Sequence, residues 1–257
     1  MPQGLRVDGV TKRYGKRTVV NELSLTVGPG VVAGLVGPNG CGKTTTLSMI
    51  AGIIETDGGR AFISGHDVGR TPVEAKRNLA YVPDDPTGFE QLTVLEYLDL
   101  YGSLYQQPRA GYDRRARIAS EAFGLLGHLD SSLGDLSHGT RRKVAITAAF
   151  SLDVPVLLID EPTVGLDPES VIILRNLLKH ASVAGAAVLL ATQDLAFAER
   201  VCHHLLLIDE GRLLVGGNPA RLAALYRVSS VEEVFLTITG IKERIDDFEQ
   251  RLEDLSR

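Results

Sequence analysis

The sequence predicts an α/β fold: a mostly parallel sheet with helices around it, interrupted by a lobe of helices alone. Three observations carry this expectation. The apolar run Val31-Val32-Ala33-Gly34-Leu35-Val36 leads directly into a glycine-rich loop and then a stretch of helical potential, Thr44 to Ala51. Beyond Val154, short apolar runs alternate with segments of helical spacing, the pattern of strands joined by crossover helices. Between these regions, from Leu92 to Phe150, the periodicity is helical.

In chain order, Thr18 to Val27 alternates as a half-buried strand does, and Gly28-Pro29-Gly30 marks a turn. Val31 to Val36 is short and apolar, as a strand buried on both faces requires. Leu92, Leu95, Tyr97, Leu98, Leu100 and Leu104 recur at helical spacing, with Thr93 as N-cap and Glu96 placed to complete a capping box. A second helix is expected over Arg114 to Leu126, and a third from near Gly139. Strands are expected at Val154 to Ile159, Ala187 to Ala191 and Leu205 to Ile208, with a helix near Ser170 to His180. The helical block, about 86–150, therefore reads as a lobe inserted into an α/β core.

Composition sets outer limits. A chain of 257 residues with 44% hydrophobic content supports one large domain, or a domain carrying an inserted lobe. A net charge of -5 argues against a general nucleic-acid binder, which needs a basic excess. Cys41 and Cys202 are the two cysteines, too few for a disulfide framework, so a reducing compartment is expected. The opening MPQGLRVDGVTKRYG lacks the apolar stretch of a signal peptide. Apolar runs elsewhere fall short of the roughly 20 residues of a membrane-spanning helix. The chain is expected to be soluble, with any membrane role exerted through a partner.

The glycine-rich loop is Gly37-Pro38-Asn39-Gly40-Cys41-Gly42-Lys43-Thr44. Its glycines let the backbone curl so that successive N–H groups converge on phosphates, and the helix that follows adds its positive end. Lys43 supplies a full charge for the β- and γ-phosphates, and the Thr44 hydroxyl suits magnesium. Downstream, Val156-Leu157-Leu158-Ile159-Asp160-Glu161 is an apolar strand ending in two carboxylates. Ligands sit at the carboxyl ends of parallel strands, so both acids are expected beside the loop. Asp160 is placed to hold the metal through water, and Glu161 to polarise the attacking water.

With these motifs the chain resembles the ATP-binding subunits of ABC transporters over nearly its whole length. Leu136-Ser137-His138-Gly139-Thr140 is similar to the family signature LSGGQ with two positions altered. Tyr14 stands where the family stacks an aromatic ring on adenine, and Gly165-Leu166-Asp167 resembles the D-loop. Leu207 to Arg212 resembles the strand-turn-strand that closes the core. The resemblance implies a P-loop NTPase core with an antiparallel β subdomain and the helical lobe, over 1–217, followed by a helical extension over 218–257. It implies that Tyr14, the loop from Gly37 to Thr44 (Gly37, Pro38, Asn39, Gly40, Cys41, Gly42, Lys43 and Thr44) and Thr45 bind ATP. Ser137 and Gly139 would complete the corresponding site of a second subunit. Magnesium would be held by Thr44, Asp84 and Asp160, and the catalytic positions are Glu161, Lys43 and Gln193.

Two of these positions depart from the family pattern. Asp84 stands where glutamine is usual, and Gln193 stands at the switch histidine. Glutamine cannot become a cation near neutral pH, so slow turnover is expected. Cys41 is read as a small loop residue, and His203-His204 as the start of a strand rather than a ligand pair. Glu232 to Gly240 resembles a segment that ends the ATPase subunits of drug- and lipid-type exporters. After it, Ile241, Ile245, Phe248, Leu252 and Leu255 form a heptad-like seam that docks on its own domain or meets a partner. The partners implied are transmembrane permease subunits and a second ATP-binding subunit, identical or different, with no nucleic acid. The location implied is cytoplasmic, on the inner face of the cell membrane. A soluble ABC ATPase of the iron–sulfur assembly type and a slow ATP-dependent regulatory switch are the competing readings.

Overall fold

The computed structural model describes residues 4–241 together with residues 248 and 251. The chain opens with a hairpin, β1 (Leu5–Tyr14) and β2 (Arg17–Val27), turned at Gly15. β3 (Val32–Val36) leads through the glycine-rich loop into α1 (Lys43–Ile50). Next come β4 (Gly58–Ile63), β5 (His66–Asp67), α2 (Pro72–Arg77) and β6 (Leu79–Val82). The helical lobe follows as α3 (Val94–Leu104), α4 (Arg109–Ala122) and α5 (His138–Ser151). Alternation then resumes with β7 (Val156–Asp160), α6 (Pro168–Val183), β8 (Ala187–Thr192), α7 (Leu195–Val201) and β9 (His204–Asp209). The described chain closes with β10 (Arg212–Gly217), α8 (Pro219–Tyr226) and α9 (Val231–Ile238).

Two sheets result. One is antiparallel, in the order β2-β1-β4-β5; the other runs β10-β9-β3-β8-β7-β6. The second is parallel except for β10 at its edge. Every residue of β3, β7 and β8 is buried, which explains why these strands read as unbroken apolar runs. Alternation along β3 divides the core. Val32 and Val36 face the cluster built with the helices, while Ala33 and Leu35 face the cluster built with α1 and the antiparallel sheet. Gly34 lies on the helical side because a Cβ there would come within 2.9 Å of the Cys202 sulfur.

The capping box at the start of α3 forms as the spacing predicts: Glu96 N–H donates to Thr93 Oγ1 at 3.2 Å, and Thr93 N–H donates to Glu96 Oε2 at 2.8 Å. α4 departs from expectation. It begins at Arg109 rather than Arg114 and ends at Ala122 rather than Leu126. Pro108 supplies its entry geometry, and Gly124 at φ 69° breaks it, leaving Leu126–His128 as a short 3-10 turn. His203 stands immediately before β9, which His204 opens; the His203 Nδ1 accepts from Val32 N–H at 2.9 Å. The seam positions Ile245, Leu252 and Leu255 lie outside the described residues. No described helix is long and apolar enough to cross a membrane.

Candidate nucleotide site

The strand order sets the site. β8 lies between β3 and β7, so the carboxyl ends of all three meet. Gly37 N–H donates to Thr192 O at 3.4 Å, and Glu161 N–H donates to Ala191 O at 2.8 Å. The loop after β3 then curls tightly. A Cβ on Gly37 would lie 2.2 Å from Ile208 O, and Gly42 has φ 106° with Val19 O at 2.7 Å from its Cβ position. Neither position tolerates another residue without moving backbone. Gly42 is the N-cap of α1, so the positive end of that helix faces the loop.

Within this cradle, the buried Lys43 ammonium donates to Gly37 O at 2.9 Å and Pro38 O at 3.1 Å. It also lies 3.4 Å from Glu161 Oε1. Asn39, Gly40 and Thr44 are exposed around it, and Thr45 is half-buried. Cys41 is buried, and that burial pushes its thiol up against the opposing pull of Lys43. A raised thiol is a poor nucleophile, which agrees with its reading as a small loop residue.

Asp160 is fully buried, and no hydrogen bond of full geometry reaches either carboxylate oxygen, although the Thr44 hydroxyl lies near enough to act on it. Burial pushes its carboxyl up to about 6; the Thr44 hydroxyl pulls the other way, while Asp84 and Glu161 add to the rise. An unpartnered carboxylate beside a threonine hydroxyl is an oxygen donor set suited to a hard cation such as magnesium. Glu161 is held differently. Its backbone is left-handed, at φ 43°. Its Oε2 accepts from Thr192 Oγ1 at 3.1 Å and from Gln193 N–H at 3.3 Å. The Gln193 side chain is exposed, so its backbone, not its amide, makes this contact.

The remaining positions fall into two other places. Tyr14 ends β1 with 53% of its surface exposed, and Lys12 Nζ lies 5.7 Å from its ring centre. Ser137 is the exposed N-cap of α5, accepting from Thr140 N–H at 3.2 Å. Gly139 packs on the D-loop, where a Cβ would lie 2.3 Å from Gly165 O. Lys143 pairs with Asp167 at 2.6 Å and holds that carboxyl well below the usual range. Thus Lys43, Thr44, Asp160, Glu161 and the Gln193 backbone gather at the loop, while Ser137 caps α5 and Gly139 stands against the D-loop.

Sequence reasoning missed Thr192 and Arg142. Thr192 ends an apolar strand beside the switch position Gln193, and nothing in that pattern assigns its hydroxyl a role. Arg142 lies in the basic run Arg141-Arg142-Lys143, which reads as a solvated helix face, yet it is fully buried. Its Nη1 donates to Pro83 O at 3.2 Å and to Asp84 O, and its Nη2 donates to Asp160 O and Glu161 O. The Asp84 carboxylate lies 3.7 Å from the same guanidinium.

Comparisons with known proteins bear on this arrangement. The family model described as ABC transporter matches residues 20–164. The Nod factor export ATP-binding protein I of Paraburkholderia xenovorans (strain LB400) is 36% identical, over 91% of this chain and 78% of its own length. The linearmycin resistance ATP-binding protein LnrL of Bacillus subtilis (strain 168) is 31% identical over 93% of this chain and 76% of its own. The lipopolysaccharide export system ATP-binding protein LptB of Escherichia coli (strain K12) is 34% identical over 85% and 92%. A solved ATP-binding subunit of an ABC transporter superposes with a TM-score of 0.87 at 32% identity, covering 92% of this chain and 99% of that one.

Proposed function

The chain belongs to the ABC transporter family, and from that premise we propose that it is an ATP-binding and ATP-hydrolysing subunit that powers export through separate transmembrane subunits. The observation that carries hydrolysis is the placement of Glu161. Its carboxylate is aimed by Thr192 and Gln193 N–H and lies within reach of Lys43, beside the phosphate-binding loop. Two relatives, at 36% and 34% identity, carry export in their names, and this supports the direction of transport.

The chemistry follows from these positions. Loop N–H groups and the start of α1 cradle the phosphates, and the Tyr14 ring stacks on adenine. Lys43 exchanges its carbonyl partners, Gly37 and Pro38, for β- and γ-phosphate oxygens. Magnesium would be held by Asp160 and the Thr44 hydroxyl, with Asp84 in an outer position, and supplies charge neutralisation on the phosphates. Glu161 accepts a hydrogen bond from the attacking water and orients it in line. Ser137 and Gly139 of a second ATP-binding subunit, identical or different, would complete the site, and the pair would work on the inner face of the cell membrane. Gln193 contributes its backbone to Glu161 but no cationic side chain to the γ-phosphate, so turnover is slow.

Replacing Glu161 by glutamine tests the central assignment. Turnover is expected to fall by a factor of about a hundred or more while ATP affinity persists. A Glu161→Gln chain hydrolysing ATP at the normal rate would sink it.

A further inference from the structure

Arg142 is the largest side chain that the described fold buries completely, and it carries a charge. Burying a guanidinium is unfavourable unless its protons are met, and here both Nη groups are met in an unusual way while Nε is buried without a hydrogen-bond partner. Apart from the Asp84 carboxylate at 3.7 Å, its partners are backbone carbonyls. Pro83 and Asp84 follow β6; Asp160 and Glu161 end and follow β7. One planar group on α5 thus binds the carboxyl ends of two adjacent strands. An ammonium presents one nitrogen and cannot serve both pairs.

The Glu161 backbone explains why such a clamp matters. A non-glycine residue at φ 43° occupies a sparsely populated conformation that surrounding structure must hold. Glu161 is held from both sides of its Cα: its N–H donates to Ala191 O at 2.8 Å, and its own carbonyl accepts from Arg142 Nη2. Together these bonds fix the direction in which the carboxylate leaves the chain. Arg142 touches neither the phosphate-binding loop nor the carboxylate of Glu161 through any of these bonds. It acts through the backbone.

The geometry points to Arg142 as a positioning residue for Glu161, linking the signature helix α5 to the group that orients the attacking water. The inference rests on the hydrolytic role of Glu161 proposed above. α5 starts at Ser137, so a displacement of the signature reaches Glu161 through one guanidinium. Lys143, the next residue, ties the same helix to Asp167 of the D-loop at 2.6 Å. Arg142 is distinct in reaching the strand end itself.

Turnover and ATP affinity measured side by side on the full chain test this, using Arg142→Lys, Arg142→Gln and, as reference, Glu161→Gln. Lysine keeps the charge without the fork; glutamine carries no charge to bury, and so folds where lysine fails. In a folded variant, kcat is expected to fall roughly tenfold or more while affinity for a fluorescent ATP analogue stays within about threefold. A folded variant with near-normal kcat overturns the assignment, and so does affinity falling in step with kcat. If neither substitution folds, Arg142 is purely structural and the assignment is equally lost. Normal turnover in Glu161→Gln would instead remove the premise. Loss in Glu161→Gln beside normal turnover in the Arg142 variants defeats the clamp alone.

Discussion

At the scale of single residues, Asp160, the proposed magnesium ligand, shows what burying an unpartnered carboxylate costs a fold. Its carboxyl rises from 3.8 to about 6, mainly through burial. The folded chain therefore holds this proton more tightly than the unfolded one. Stability falls as pH rises between those two values and then levels off. The deficit at neutral pH is at most about 3 kcal/mol, from roughly two pKa units. Asp160→Asn should accordingly melt higher than the wild type at pH 7.5 without nucleotide, with the gap closing toward pH 4. A gap that stays constant with pH would contradict burial of the charged carboxylate as its origin. Gln193 poses a kinetic question at the same scale. Its backbone bond to Glu161 survives any side-chain change, so Gln193→His alters only the exposed side chain that the proposed function sets toward the γ-phosphate. Steady-state hydrolysis should rise severalfold, by about 1 kcal/mol of barrier; equal rates would show that the histidine is dispensable in this site.

Among elements, α5 is closely constrained. Its first turn lies so close to the D-loop that a Cβ on Gly139 would stand 2.3 Å from Gly165 O. The backbone fixes where a Cβ must stand, and Gly165 O is itself backbone, so no rotamer change relieves the overlap. Gly139→Ala should lower stability by roughly 1–3 kcal/mol and slow turnover, while direct ATP binding at the loop persists. Unchanged melting and unchanged turnover would show that the two segments separate freely. Elements also show where local patterns suffice. The start of α3 was readable because its capping box lies within four consecutive residues, Thr93 to Glu96. The bounds of α4 were not, because Pro108 and Gly124 override the apolar spacing from outside it.

For the whole molecule, the parallel sheet separates two cores and gathers the site along one edge of its central strands. α8 and α9 join the helical core through Leu222, Val231, Val234 and Phe235, so the described part of the C-terminal region is packed against the body. No described helix spans a membrane, and the proposed work is done on separate membrane chains. Affinity purification of the full chain from its native membranes should bring down a polytopic membrane protein. Recovery without one favours the soluble ATPase reading.

The sequence by itself determined the glycine-rich loop between strand and helix, the acidic strand end and the α/β class. Each depends on neighbouring residues: glycines at positive φ, a helix opening at Lys43, strands apolar on both faces. Tertiary structure alone decided that Asp160 is unpartnered, that Thr192 and the Gln193 backbone aim Glu161, and that Arg142 is buried rather than solvated. These properties join residues 18 to 59 positions apart. Burial and hydrogen bonding across such separations depend on how strands and helices pack, which no local pattern encodes.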